Sequence, residues 1–208
     1  NAGKIVLIQT EKELEKSIVE ADIINADGQA IVWAANFLGH KLPERVSGID
    51  LMKQLVKRSF EKGYKCFFFG AKQEVVTKLV SIYKEQYSKD IIAGCRNGYF
   101  EKGDEGQIAR QIAESGANML FVAITSPKKE IFLNTYKKQL QNVNFIMGVG
   151  GSFDVIAGKV KRAPIWMQNI GLEWLFRFLQ EPIRMWRRYT IGNIKFILLV
   201  IKEYFKTK

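Results

Sequence analysis

Asp27, in the run DIINADGQAIVW, follows a short apolar stretch and precedes one of helical length. That placement would carry a carboxylate to the carboxyl edge of a sheet, where open α/β sheets bind ligands. Such a group can act as a general base. It can equally accept the free N–H groups of the following helix, and on the residues alone this capping role is favoured. The run NFIMGVGGSFD sets Gly148, Gly150 and Gly151 where a buried strand would pass into a helix. Backbone N–H groups there can face a phosphate, although a tight turn also needs small residues. As a dinucleotide fingerprint the run fails, because Phe153 stands where the third glycine belongs and no strand-end acid follows about 20 residues on. FFFGAK, with Gly70 after an apolar strand, is a weaker turn of the same kind.

No Asp-x-Asp pair occurs. A nucleotide-sugar enzyme built on this chain would therefore lack an evident Mg²⁺ or Mn²⁺ clamp, and cationic side chains would have to neutralise a departing diphosphate. Arg162, Arg177, Arg184, Arg187 and Arg188 form the one concentration able to do so, each with forked donors suited to phosphate oxygens. Pro182 suits the first turn of a helix, on which Arg184 and Arg187, three apart, share a face. Neither a metal nor a cofactor is expected.

The elements that must hold these groups follow from the apolar pattern. Strands are predicted at residues 22–25, 65–69, 91–93, 119–124 and 144–149, and helices at 50–62, 72–87, 105–115 and 127–139. Residues 4–8 fit either a strand or a buried helical turn. The alternation gives an α/β fold with a Rossmann-like, mostly parallel sheet covered by helices. After Gly158 the texture turns to Trp, Phe and Arg without strand-like alternation. The chain thus divides into an α/β core, 1–158, and a basic helical appendage, 159–208. In the last helix Ile194, Ile197, Leu198, Ile201, Tyr204 and Phe205 cluster on one face beside a stripe of Lys195, Lys202 and Lys206. Such a helix can dock on its own domain, on a neighbouring subunit of a homo-oligomer or on an anionic membrane surface.

With 208 residues, 47% hydrophobic and 25% charged, the chain can bury a real core, which excludes disorder, collagen and repeat arrays. Its net charge of +11 is local: residues 159–208 hold 11 of the 32 cations and only Glu173, Glu181 and Glu203 as acids, so they carry +8. The partner at that end is anionic. Cys66 and Cys95 lie far apart, which fits a reducing cytosol rather than a zinc knuckle or disulfide framework. The lone histidine, His40, sits near a turn and is expected to face solvent. No apolar run reaches the roughly 18 residues of a membrane span, and no signal peptide is evident.

GVGGSFDVIAGKVKRAP, followed by GLEWLFRFLQEP and RMWRRY, resembles the C-terminal signature of the WecG/TagA/CpsF glycosyltransferases, glycosyltransferase family 26. Upstream, ADGQAIVWAA, LPERVSGIDL, FFFGAKQEV, NGYF and AITSPKKE match the family's successive motifs in order and spacing, so the resemblance covers essentially the whole chain. It implies an inverting, metal-independent transfer of an N-acetylmannosamine-type sugar or related hexose from a UDP-sugar to a polyprenyl-diphosphate-linked sugar. The setting it implies is teichoic acid or exopolysaccharide assembly on the cytoplasmic face of the plasma membrane, with a peripheral protein. It also implies Asp27 as catalytic base, Arg45 as the arginine of the ERVxG segment, and Tyr99 and Asp154 as nucleotide-side contacts. Arg177, Arg184 and Arg187 become the appendage arginines that close over the diphosphate. Two positions depart from the family pattern: of a Thr-x-Asn element only Asn1 is present, and Lys129 of PKKE replaces a glutamine expected near the donor. The competing class is a nonenzymatic nucleic-acid-binding domain, suggested by net charge and by Trp174 and Trp186 among arginines; the resemblance implies no nucleic acid partner. A nicotinamide-dependent oxidoreductase is disfavoured by the missing fingerprint. With no Asp-x-Asp clamp, EDTA is expected to leave sugar transfer unchanged, and a loss that Mn²⁺ restores would contradict this.

Overall fold

The computed structural model describes residues 1–206, and the side chains of Arg184, Arg187 and Arg188 lie outside the described residues. The chain forms two compact units, one of Gly48–Val160 and one of Asn1–Ser47 together with the chain from Lys161 onward. It enters through α1 (Ala2–Leu7), α2 (Lys12–Val19) and α3 (Gln29–Phe37). In the sheet unit, α4 (Gly48–Lys62), α5 (Gln73–Gln86), α6 (Glu105–Glu114), α7 (Lys128–Thr135) and α8 (Ser152–Ile156) alternate with four strands. The chain then returns to the helical unit as α9 (Ile165–Asn169), α10 (Glu173–Gln180), α11 (Pro182–Tyr189) and α12 (Ile191–Lys206).

The strands are β1 (Cys66–Gly70), β2 (Ile92–Arg96), β3 (Met119–Ala123) and β4 (Phe145–Gly148). They pair in parallel in the order β2-β1-β3-β4, so the expected α/β fold with a parallel sheet is what forms. Every residue of β1 is buried, which explains a CFFFG run without polar alternation. Phe67 and Phe69, with Leu120 and Val122 of β3, pack on Ile108 and Ile112 of α6 and Phe132 of α7. Cys66 and Phe68, with Met119 and Phe121, pack on the other face against Met52 and Val56 of α4, the apolar row of α5 and Phe153 of α8.

Chain handedness accounts for which helix lies where. The connection from β1 to β2 steps one way and that from β2 to β3 steps back across β1, so right-handed crossovers put α5 and α6 on opposite faces. The step from β3 to β4 continues in the second direction, and α7 joins α6. Both cysteines are free; burial lifts the Cys66 thiol to about 11 and raises Cys95 as well, so both are protonated at neutral pH.

In the helical unit α1 packs on α12, and α9, α10, α11 and α12 pack in succession. Phe196 of α12 is buried, and Tyr204 stacks on Phe37 with ring centroids 4.8 Å apart. Tyr204, at the border of the apolar face predicted for this helix, is partly covered by that contact. Ile194, Ile197, Leu198, Ile201 and Phe205 stay exposed on that face, because α12 is apolar on two sides and uses only the other for packing.

Three local expectations change. Residues 22–25 are not a strand: they have no regular structure, and Ile23 and Ile24 are 73% and 66% exposed. A β-branched run becomes a strand only when a neighbour completes its ladder, and none of the described strands pairs with it. Of residues 4–8, the first four resolve as helix within α1 and Ile8 is its C-cap; Asn1 caps the other end, its side chain accepting from the Lys4 N–H at 3.2 Å. The helix predicted to reach 139 is regular only to Thr135 and continues as turns.

Gly70 closes β1 at φ +133°, and a Cβ there would lie 2.4 Å from the Ala123 carbonyl carbon. Gly70→Ala therefore meets both a left-handed backbone and an immovable neighbouring strand. It is expected to destabilise the protein by about 3 kcal/mol, read from the urea midpoint at unchanged m-value.

Candidate functional site

In the sheet unit, four motifs from distant parts of the sequence meet at one edge. The chain leaves β1 for β2 on one side and reaches β3 on the other, so the carboxyl ends of β1 and β3 flank the topological switch point, the usual ligand crevice of such sheets. There the Ala71 N–H donates to the Ala123 carbonyl at 3.1 Å, and the Gly98 N–H donates to the Ala71 carbonyl at 2.8 Å. Among the described residues Ala71 is the non-glycine residue held at positive φ, 56°. FFFGAK, NGYF and the start of AITSPKKE thus share one edge. On the far side of β3 the Val149 N–H donates to the Val122 carbonyl at 2.9 Å, and the Ser152 hydroxyl closes the GVGG turn by donating to the Val149 carbonyl at 2.6 Å.

At this edge Tyr99 is 69% exposed, while its backbone N–H is fixed by the Asn97 carboxamide oxygen at 2.9 Å. Lys129 is buried, its ammonium 3.4 Å from Glu130 Oε1, and the Ser126 hydroxyl donates to Glu130 Oε2 at 2.6 Å. A Cβ on Gly148 would sit 2.5 Å from Lys129 Cε, so the lysine stem occupies the space that this glycine leaves open. Gly150 turns the chain at φ +53°, Gly151 precedes α8, and Asp154 is half-buried in its first turn.

The helical unit carries a second group of chemistry-bearing residues. Asp27 is exposed, and no hydrogen bond or ion pair engages it among the described residues. The residue at the N-cap of α3 is Gly28, with no side-chain cap bond. This overturns the capping role: the turn is made by a glycine at φ +112°, and the carboxylate is left to solvent. The Val46 N–H donates to the Ala26 carbonyl at 2.9 Å, holding the ERV segment beside Asp27 along the backbone. Arg45 Nη1 lies 3.1 Å from Glu173 Oε2, and Arg162 Nε lies 3.7 Å from Glu173 Oε1. Arg162 Nη2 also donates to the Ser47 hydroxyl at 3.3 Å. The Gln180 amide clamps the Lys161 backbone on both sides, accepting from its N–H at 3.1 Å and donating to its carbonyl at 3.0 Å.

The structure thus gathers Gly148, Gly150, Gly151, Asp154, Lys129 and Tyr99 about the edge of one sheet, and Asp27 and Arg45 on adjoining segments of the helical unit. Asn1 serves as a helix cap. Arg177 is half-buried on α10, its guanidinium making no hydrogen bond or ion pair among the described residues. Arg184 and Arg187 belong to α11, but their side chains lie outside the described residues. Sequence reasoning passed over Glu173 and Gln180. A signal for Glu173 was present: one of three acids in a segment of 11 cations is conspicuous as a partner for arginine.

A parallel sheet with helices on both faces, and glycine turns and a buried ion pair crowded at its carboxyl edge, defines a doubly wound α/β protein of the ligand-binding kind. The description "Glycosyl transferase WecG/TagA/CpsF family" matches residues 1–208, and the chain belongs to that family of glycosyltransferases. It is 36% identical over 183 residues, 88% of this chain and 70% of the relative, to the N-acetylglucosaminyldiphosphoundecaprenol N-acetyl-beta-D-mannosaminyltransferase of Bacillus subtilis (strain 168). It is 35% identical over 189 residues, 91% of this chain and 72% of the relative, to the protein of the same name from Bacillus spizizenii.

Lys129→Met removes the cation from a buried pair and leaves the Glu130 carboxylate facing an apolar chain. A loss of about 3 kcal/mol is expected in thermal or urea unfolding, largely recovered in Lys129→Met/Glu130→Gln. Equal instability of the single and double variants would contradict the pairing.

Proposed function

We propose that this glycosyltransferase is inverting and metal-independent, and that it moves a sugar of N-acetylmannosamine type or a related hexose from a UDP-sugar to a polyprenyl-diphosphate-linked sugar. The family membership and the names of the two relatives support the acceptor class and the sugar type. The observation that carries the mechanism is Asp27, exposed and unengaged where the α3 turn is capped by Gly28 instead.

In this reading Asp27 takes the proton of the acceptor hydroxyl as its oxygen bonds to the anomeric carbon from the face opposite UDP. The bond from that carbon to the phosphate oxygen breaks, and its electron pair leaves with UDP. Charge then grows on the diphosphate, and Arg45, Arg177, Arg184 and Arg187 are the residues assigned to neutralise it. Tyr99, Lys129, Asp154 and the glycines Gly148, Gly150 and Gly151 are assigned to the donor side, and Asn1 to substrate binding. Residues 159–208 act as a membrane-proximal appendage. No described helix is long and apolar enough to cross a membrane, whereas α12 leaves a row of exposed apolar side chains next to Lys195, Lys202 and Lys206. That combination suits peripheral binding to an anionic inner leaflet, where teichoic acid or other surface polysaccharide is assembled.

The test is a transfer assay with a panel of UDP-sugars and a short-chain polyprenyl-diphosphate acceptor, run on the protein and on Asp27→Asn. The variant is expected to keep its fold and UDP binding while turnover falls about 10²- to 10⁴-fold. Normal turnover by Asp27→Asn would remove Asp27 from the base role, and absence of transfer from every UDP-sugar would refute the donor class.

A further inference from the structure

Glu173 places one carboxylate oxygen against each of two arginines: Oε2 lies 3.1 Å from Arg45 Nη1 and Oε1 lies 3.7 Å from Arg162 Nε. The three side chains come from separate stretches of chain, and all are largely withdrawn from solvent, at 17%, 20% and 25% exposure for Arg45, Arg162 and Glu173. Two guanidinium groups and one carboxylate thus meet in a partly desolvated setting. Like-charged guanidinium groups stay close only while a carboxylate screens them. Arg45 spends one nitrogen on Glu173, and the rest of its fork makes no hydrogen bond among the described residues. Arg162 is further fixed through Ser47, and the Gln180 clamp on Lys161 holds the backbone just before it.

We propose that Glu173 is a positioning residue for the transfer reaction: its carboxylate aligns Arg45 and Arg162 as a paired guanidinium site for the donor diphosphate. This rests on the transferase reading above. The role needs a carboxylate with both oxygens. In Glu173→Gln the amide oxygen can still accept from one arginine, but the amide nitrogen turns a donor toward the other, so the pair loses its alignment while the site gains net positive charge. Donor attraction is then kept or strengthened, and the cost falls on the step in which negative charge develops on the leaving diphosphate.

Full-length protein and its Glu173→Gln, Glu173→Asp, Arg45→Gln and Arg45→Gln/Glu173→Gln variants are compared by steady-state transfer and by thermal unfolding. Glu173→Gln is expected to lower kcat about 10- to 100-fold with the donor KM unchanged or lower. The double variant is expected to be no slower than Arg45→Gln alone, the signature of two residues acting as one unit. Glu173→Asp, which keeps the charge on a shorter arm, should show the same split with a smaller loss. Wild-type kcat in Glu173→Gln, or a loss confined to KM with additive effects in the double variant, would overturn the proposal. So would failure of both the Gln and Asp variants to fold, which would make Glu173 a structural pin. Wild-type protein that transfers no sugar from any UDP-sugar would instead refute the underlying functional reading.

Discussion

Strand β1 is buried on both faces between β2 and β3, and the architecture of the sheet unit follows from that constraint. Three consecutive phenylalanines cannot share a face, because side chains alternate along a strand. Phe67 and Phe69 need one apolar layer and Phe68 needs another. Helices must therefore cover both faces, and with right-handed connections the chain can supply them only by stepping outward from β1 and then back across it. That reversal creates the switch point, and the loops after β1, β2 and β3 meet there as a by-product of burying CFFFG. Each fully buried phenylalanine contributes on the order of 1.5–3 kcal/mol, so the strand that leads to the glycine motifs is firmly anchored in the core.

The helical unit is organised by charge and by partial burial. Its arginines have few acids to meet, and Glu173 engages two of them with its two oxygens. What a half-buried carboxylate adds is direction, since a guanidinium held at one nitrogen presents the others in a fixed plane. The same unit leaves Ile165, Trp166, Leu179, Ile183 and the outer row of α12 exposed. On α12 these side chains run beside Lys195, Lys202 and Lys206, the pairing on which the proposed peripheral membrane binding rests.

The α/β class, four of the five predicted strands and most helix positions were legible in the residues, because burial on two faces writes itself as unbroken apolar runs and burial on one face writes itself as a 3.6-residue period. The family signature was legible too, since its motifs follow one another in fixed order along nearly the whole chain. Residues 22–25 misled because strand preference is local while a ladder is not: Ile23 and Ile24 carry the preference, and nothing in a linear pattern states whether a neighbour will pair with them. Asp27 misled for a related reason. Aspartate before a helix is a good cap, but Gly28 took the cap position, and which of two adjacent residues makes the turn depends on backbone angles that composition does not reveal. In α12 the apolar pattern was correct, yet residues on two faces matched it, and only packing against α1 and Phe37 decided which face is buried.

The sequence by itself determined the fold class, the family, the concentration of cations after Gly158 and the identities of the glycine turns, because each is set by residue type and short-range spacing. Tertiary structure decided which groups meet. Arg45, Arg162 and Glu173 are separated by as many as 128 positions, and their convergence on one carboxylate has no linear signal beyond a lone acid among arginines. Lys129 lies over Gly148 for the same kind of reason: β3 and β4 are neighbours in the sheet, and a residue without a side chain at the end of one strand leaves room for the lysine that follows the other.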